Sequence, residues 1–183
     1  MQRIEPVTEA GAPPKTAELL AAVKKQMGGV PNILATLARS PAGLGGYLGL
    51  AQALGTGRLP AGLREQVALA VAGANGCSYC ASAHTALGKG LGLSAGEMEQ
   101  NLTGRSGDPK VEAALRFVRR VLDTKGHVSD ADLAAVRKAG LDDEEIVELI
   151  ANTALNVFTN YFNHVAGTEI DFPVVEIDRA AAA

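Results

Sequence analysis

Glu65-Gln66-Val67-Ala68-Leu69-Ala70-Val71-Ala72-Gly73-Ala74-Asn75-Gly76-Cys77-Ser78-Tyr79-Cys80-Ala81-Ser82-Ala83-His84 decides the reading of this 183-residue chain. It holds both cysteines, one of the three histidines, and a glutamate inside an apolar run. The pattern predicts two helices broken at Asn75-Gly76, the first from Pro60 to about Ala74 and the second over about Cys77–Lys89. So short a turn makes them an antiparallel hairpin. Residues equally far from the turn then stand at similar heights. Glu65 comes level with about Ala86, two residues from His84 and roughly 3 Å away along the axis. Neighbouring helices sit about 8–10 Å apart, so the carboxylate can reach the imidazole directly or through one water.

Within the second helix, Cys77, Cys80 and His84 follow one another at i, i+3 and i+7 and share a face. Cα atoms three apart in a helical turn are separated by roughly 5–6 Å, inside the range a disulfide accepts. The unpaired amides that open the helix favour a thiolate. His84 lies one turn beyond Cys80 and can take its proton. The thiolate is the reactive form, so both features would bring a pKa down from about 8.5. This is the outline of a thiol redox centre. Two other readings fit the same residues: a pair of inert core cysteines, and a zinc site with Cys77, Cys80, His84 and Glu65 as ligands. Structural zinc usually draws on more cysteine than one pair. Glu65, beside Arg64, could also be a solvated helix position, though its flanks Val67–Val71 argue against full exposure.

The rest of the chain reads as one all-α domain spanning residues 1–183. Apolar residues make up 47% and aromatics only 4%, so alanine, glycine and aliphatic side chains must do most of the packing. Abundant Ala and Leu favour helices. A tail (residues 1–15) precedes helices over Thr16–Met27, with Thr16 as cap, Asn32–Ala38 and about Gly43–Leu54. Beyond the hairpin, Ser94 with Glu97 has capping-box spacing for a short helix to Asn101. Val111, Ala114, Leu115, Val118 and Leu122 mark a helix over Lys110–Asp123. Ser129 with Asp132 opens another to about Lys138. Asp142-Asp143-Glu144-Glu145 places negative charge at the start of a long last helix ending near Gly167. On it Asn152, Asn156, Asn160 and His164 recur every four residues, either as structural hydrogen-bonding groups or as a lining of the thiol site. Thr168–Ala183 reads as an extended arm, and His127 as an exposed loop residue.

A formal charge of −3, with no basic run, makes nucleic acid an unexpected partner. The first residues lack the apolar core of a signal peptide, and no apolar run approaches the roughly 20 residues of a membrane span. A cytoplasmic protein is expected, where a lasting structural disulfide would be unusual.

The pattern Glu-x11-Cys-x2-Cys-x3-His, met by Glu65, Cys77, Cys80 and His84, resembles the signature of the alkylhydroperoxidase D-like proteins of the carboxymuconolactone decarboxylase superfamily. Val30-Pro31-Asn32-Ile33-Leu34 and the Asn-rich last helix resemble the branch often termed peroxidase-related. The resemblance implies an all-helical fold and reduction of hydroperoxides without haem, flavin or metal. It implies Cys80 as the attacking thiolate, Cys77 as the resolving thiol, and His84 with Glu65 as a proton relay. An external dithiol, lipoyl-bearing or thioredoxin-like, would reset the disulfide. The best-known members carry a histidine just before the second cysteine, where this chain has Tyr79. Members that decarboxylate lactones lack the cysteine pair. An alternative of another class is a redox-sensing or interaction module switched by the same disulfide. A homo-oligomer (dimer, trimer or hexamer) is also expected. The family points to one, short helices leave more apolar surface than one core hides, and the C-terminal arm looks suited to gripping a neighbour.

Overall fold

The computed structural model describes residues 2–8 and 11–177. Among these residues there are helices and connecting turns but no strand: α1 (Pro14–Met27), α2 (Asn32–Leu37), α3 (Pro41–Gly55), α4 (Ala61–Asn75), α5 (Ser78–Gly90), α6 (Ala95–Leu102), α7 (Pro109–Asp123), α8 (Asp130–Lys138) and α9 (Asp143–Ala166). No helix among them is long and apolar enough to cross a membrane.

α4 is the hub. Leu63 and the run Gln66–Ala72 are buried along it, and it packs on α5, α6, α7 and α9. Two apolar clusters meet on α4. One gathers Leu20, Val23, Leu34, Leu37 and Leu44 with Ala72 and the first turns of α5. The other gathers Leu59, Leu63, Val67 and Val71 with Leu115, Val118, Val136 and Leu149. Small side chains let α4 be approached closely from every side. At Gly73 the approach is by backbone: a Cβ there would collide with the carbonyl of Leu102 at the end of α6.

Local chemistry sets the ends of the elements. Gly76 adopts the left-handed conformation (φ 64°) that closes α4 and turns the chain into α5. Asp142 and Ser129 head full capping boxes with Glu145 and Asp132. At α6 only half of the expected box forms. The Ser94 hydroxyl accepts from the Glu97 amide, while the Glu97 carboxylate turns away to take hydrogen bonds from Gln66, Asn101, Ser106 and the Gly107 amide. Buried amides of two neighbouring helices need that acceptor more than an exposed N-cap does.

Three expected boundaries are corrected. Thr16 does not cap α1; the helix begins at Pro14, and Thr16 is buried in its first turn. α3 starts at Pro41, two residues before Gly43, because a proline suits the first helical position and Ser40 caps it. Cys77 is the N-cap of α5, with extended backbone, and lies just outside the helix.

Both ends of the described chain fold back on it. The amides of Arg3 and Ile4 donate to the Ala166 carbonyl, and that of Val7 to Ala35. Residues 168–177 of the expected arm have no regular structure and lie along their own α5: the Val175 amide donates to Ser82 Oγ and the Ile177 amide to Ser78 Oγ. Residues 178–183 of that arm are outside the described residues. Gly73→Ala should destabilise the protein by at least about 1–3 kcal/mol, the usual worth of overpacking, because a main-chain carbonyl cannot step aside. Denaturant midpoints of the two proteins measure it.

Candidate functional site

The hairpin brings Glu65 and His84 together. Glu65 Oε2 lies 2.7 Å from His84 Nδ1, a direct contact with no room for an intervening water. The two side chains are 19% and 21% exposed, enough to face a cavity while remaining held by helix packing. That cavity is about 200 Å³, and its polar lining includes Arg64, Glu65, His84, Cys80, Tyr47, Tyr79, Asn152, Asn156 and Thr159. The rest of its lining is largely apolar, with Ile33, Leu34, Leu54, Leu87, Leu155 and Phe172 among it. Cys80 lines it and Cys77 does not.

Both cysteines are free and buried. Buried thiols need polar neighbours if one is to ionise, and α9 supplies them. Asn163 Nδ2 donates to Cys80 Sγ at 3.3 Å, Thr159 Oγ1 stands 3.9 Å from the same sulfur, and Cys77 Sγ lies 4.0 Å from the Asn160 carbonyl. The two thiols also interact with each other. The Cys80 side chain, as hydrogen-bond donor, is the main influence that brings Cys77 down to about 7, aided by the Cys80 amide, Asn163 and the charge of His84. The same contact, with burial and the Cys77 charge, pushes Cys80 far up. The two titrate as a unit: one proton leaves near neutrality and the second is retained. At rest the charge favours Cys77, at the N-cap, and the proton lies on Cys80, beside the cavity.

Of the residues read from sequence, Glu65, His84 and Cys80 share one cavity, with Cys77 against Cys80. They do not make a metal site; no group of three or more His, Cys, Asp or Glu side chains among the described residues could hold a metal ion. The Asn stripe divides. Asn152 and Asn156 line the cavity, each turning its Nδ2 onto the helix carbonyl four residues back. Asn160 instead accepts from Asn75 at the hairpin turn (3.0 Å), and His164 is not part of the cavity wall. His127 is exposed, as expected.

Sequence reading missed Thr159, Asn163 and Tyr47. The first two were legible in principle: Asn152, Asn156, Thr159 and Asn163 are spaced four, three and four, which stays on one helix face. A strict four-residue repeat drifts by about 40° per step. Tyr47 carried no local signal. It comes from α3, and burial together with the Cys80 and Glu65 charges pushes its hydroxyl up to about 12, so it remains a hydrogen-bond donor beside the thiol. Tyr79, between the cysteines, lines the same cavity but spends its hydroxyl elsewhere. Its hydroxyl donates to Asp171 (2.7 Å), accepts from the Ile33 amide (3.2 Å), and its ring meets Phe172 edge-on. Burial and the Asp171 acceptor raise its pKa, with the Ile33 amide opposing. It clamps α5 to α2 and to the C-terminal segment.

Comparison with known proteins bears on the fold and the family. Residues 41–124, from the start of α3 to the end of α7, match the model of the carboxymuconolactone decarboxylase family. The whole fold superposes on an alkylhydroperoxidase AhpD core structure, a peroxidase-related protein from Ralstonia eutropha JMP134, with a TM-score of 0.84 and 27% identity, covering 93% of this chain and 92% of that one. The chain has the AhpD-like fold, and residues 41–124 are similar to the carboxymuconolactone decarboxylase family. A peroxidase-related protein from Silicibacter sp. TM1040 has the same fold (TM-score 0.78, 23% identity, covering 86% and 85%). Over 88 residues, 48% of the chain, the AhpD-like sequence is 35% identical to an alkyl hydroperoxide reductase of Mycobacterium tuberculosis. That match spans only 26% of the relative's length.

Thiolate absorbance of the reduced AhpD-like protein should rise by one equivalent per chain with a midpoint at about 7. The second equivalent should appear only at strongly alkaline pH. Cys80→Ala should move the midpoint up, since it deletes the chief contact that stabilises the Cys77 anion, and Asn163→Leu should move it up by less. Two thiolates appearing together near the ordinary value of about 8.5 would contradict the paired titration.

Proposed function

We propose that the chain is a thiol-dependent peroxidase that reduces hydroperoxides through a Cys80/Cys77 disulfide cycle. One observation carries the reading: Cys80 shares a cavity with a Glu65–His84 pair in direct contact, and a second thiol lies against it on the side away from the cavity. The family of the relatives, named reductase and peroxidase-related, supports an oxidoreductase of this kind.

Cys80 first gives its proton to His84, across the cavity that both line, while Cys77 stays a thiolate. The Cys80 thiolate then attacks the outer oxygen of ROOH. The O–O bond breaks, the sulfur is oxidised to Cys80–SOH, and RO⁻ leaves with a proton from His84, whose imidazole Glu65 orients and stabilises when charged. Cys77 attacks Cys80–SOH as a thiolate, expelling hydroxide, which takes a proton and leaves as water; the disulfide forms. A dithiol donor, lipoyl-bearing or thioredoxin-like, reduces it by exchange. The balance is ROOH plus two thiols giving ROH, water and one disulfide. Apart from the peroxide and the external dithiol, the chain supplies the groups this cycle uses, and the reading needs no bound cofactor. Tyr47 and Asn163 are positioned to donate hydrogen bonds to the oxygen and sulfur that gain charge.

The apolar part of the cavity lining suits the organic part of a hydroperoxide. A sensing module would use the same disulfide but has no need of a proton-relay pair in a cavity, and this favours the enzyme. The cytoplasm is the compartment in which such a cycle would find its reductant.

Peroxide consumption with a supplied dithiol should be abolished by Cys80→Ser. Cys77→Ser should hold a sulfenic acid on Cys80 that a dimedone probe labels; labelling confined to Cys77 in the Cys80→Ser protein would reverse the roles. Glu65→Gln and His84→Ala should each lower turnover by about 10²–10⁴-fold. Their combination should cost little more than either alone, as for residues that act together. Fully additive losses would sink the relay.

A further inference from the structure

On a chain whose formal charge is −3, four arginines meet in one groove. Arg116, Arg119 and Arg120 stand at i, i+3 and i+4 on α7 and so share a face. Arg105 comes from the turn that follows α6. The groove is open, holds about 530 Å³, and has α8 as its other side. It shares no lining residue with the thiol cavity. Small residues keep it from being filled: Ala113 on α7, Ala135 on α8, and Gly104. Gly104 has φ 74°, and a Cβ on it would stand 2.8 Å from Arg119 Cγ. The missing side chain is what lets the Arg119 stem lie against the turn.

The acids near these cations do not satisfy them. Glu112 lies 3.7 Å from Arg105 and 4.0 Å from Arg116, too far to accept a hydrogen bond from either. Asp132 Oδ1 stands 3.4 Å from Arg120 Nε, while Oδ2 is held by the amide and hydroxyl of Ser129. Arg119 has no hydrogen bond or ion pair among the described residues. Four guanidinium groups against two carboxylates leave two positive charges unmatched and most of the N–H donors unused. That all four are arginines and none a lysine matters, because the planar fork fits paired oxygens on one centre.

We propose that this groove is a binding site for a small molecule that carries a diphosphate group, held by Arg105, Arg116, Arg119 and Arg120. Two unmatched charges call for a ligand with at least two negative charges close together, which a diphosphate supplies. The alanines leave room beside it for the organic part of a phosphate ester. The volume falls within the roughly 300–1,000 Å³ of small-molecule sites. A nucleic-acid backbone would need a cationic track that runs on past the groove, and the sequence has no basic run to form one. The site is independent of the thiol chemistry.

Calorimetry on the full-length chain at physiological salt should show one ADP bound per chain. AMP should bind about tenfold more weakly or worse, since it lacks one of the charged contacts. Inorganic pyrophosphate separates the two sources of the group: tighter binding of ADP assigns the groove to a nucleotide-like ester, and tighter binding of pyrophosphate to the free anion. Either order supports the site. Arg119→Gln and Arg105→Gln should each weaken binding of the tighter ligand by about tenfold or more. Arg64→Gln, which alters the arginine of the thiol cavity, should leave it unchanged. The proposal is overturned if neither ADP nor pyrophosphate binds at millimolar concentration, or if AMP binds as well as ADP. It is equally overturned if both groove variants bind normally, if Arg64→Gln abolishes binding, or if a single-stranded oligonucleotide binds more tightly than ADP. Should Arg119→Gln fail to fold, Arg105→Gln, on an exposed turn, decides alone.

Discussion

A buried thiol can lose its proton only if something polar stands in for water, and here the inner face of α9 does so. Two sulfurs sit at the start of α5 beneath a helix whose inward residues are amides and hydroxyls. Asn163 donates to Cys80, Thr159 faces the same sulfur, and the Asn160 carbonyl lies against Cys77. A leucine-faced helix would have packed as tightly, but desolvation would have raised both thiols. The polar lining and the contact between the thiols together allow a single negative charge to be shared near neutrality.

The same demand shapes the rest of the architecture. A helix that spends its inner face on polar lining contributes less apolar burial, and α4 makes up for it by being buried on nearly every side. This requires small residues, hence the Ala and Val run and the glycine against the Leu102 carbonyl. It also requires that each helix around α4 be fixed at its ends. Asn75 on Asn160 ties the hairpin turn to α9, and the Glu97 carboxylate gathers α4, α6 and the following loop. Tyr79 is part of this scaffolding: its hydroxyl is taken up by Asp171 and the Ile33 amide, so the residue between the cysteines fixes α5 against α2 and the C-terminal segment while its side chain lines the cavity.

Much of the fold was legible because local signals agreed with one another. Asn75-Gly76 separates two apolar runs, Asp142 and Ser129 head sequences with box spacing, and Pro41 follows a serine. The Glu65–His84 contact followed from counting residues on either side of the turn, since antiparallel geometry leaves little freedom in height. The points that went astray were those where a long-range partner outbid a local one. Glu97 abandons its cap for buried amides, and Thr16 is buried where a solvent-facing cap was expected.

The sequence by itself determined the helical class and the hairpin, and put Glu65 within reach of His84, because periodicity and a two-residue turn act over short distances along the chain. It also placed two cysteines at the head of one helix. Tertiary structure decided which of them faces the cavity, which carries the charge, and that Tyr47, Thr159 and Asn163 surround them. Those outcomes depend on the rotation of α3 and α9 about their own axes. That rotation is set by the sum of many packing contacts between helices distant in sequence, and no spacing within one segment encodes it.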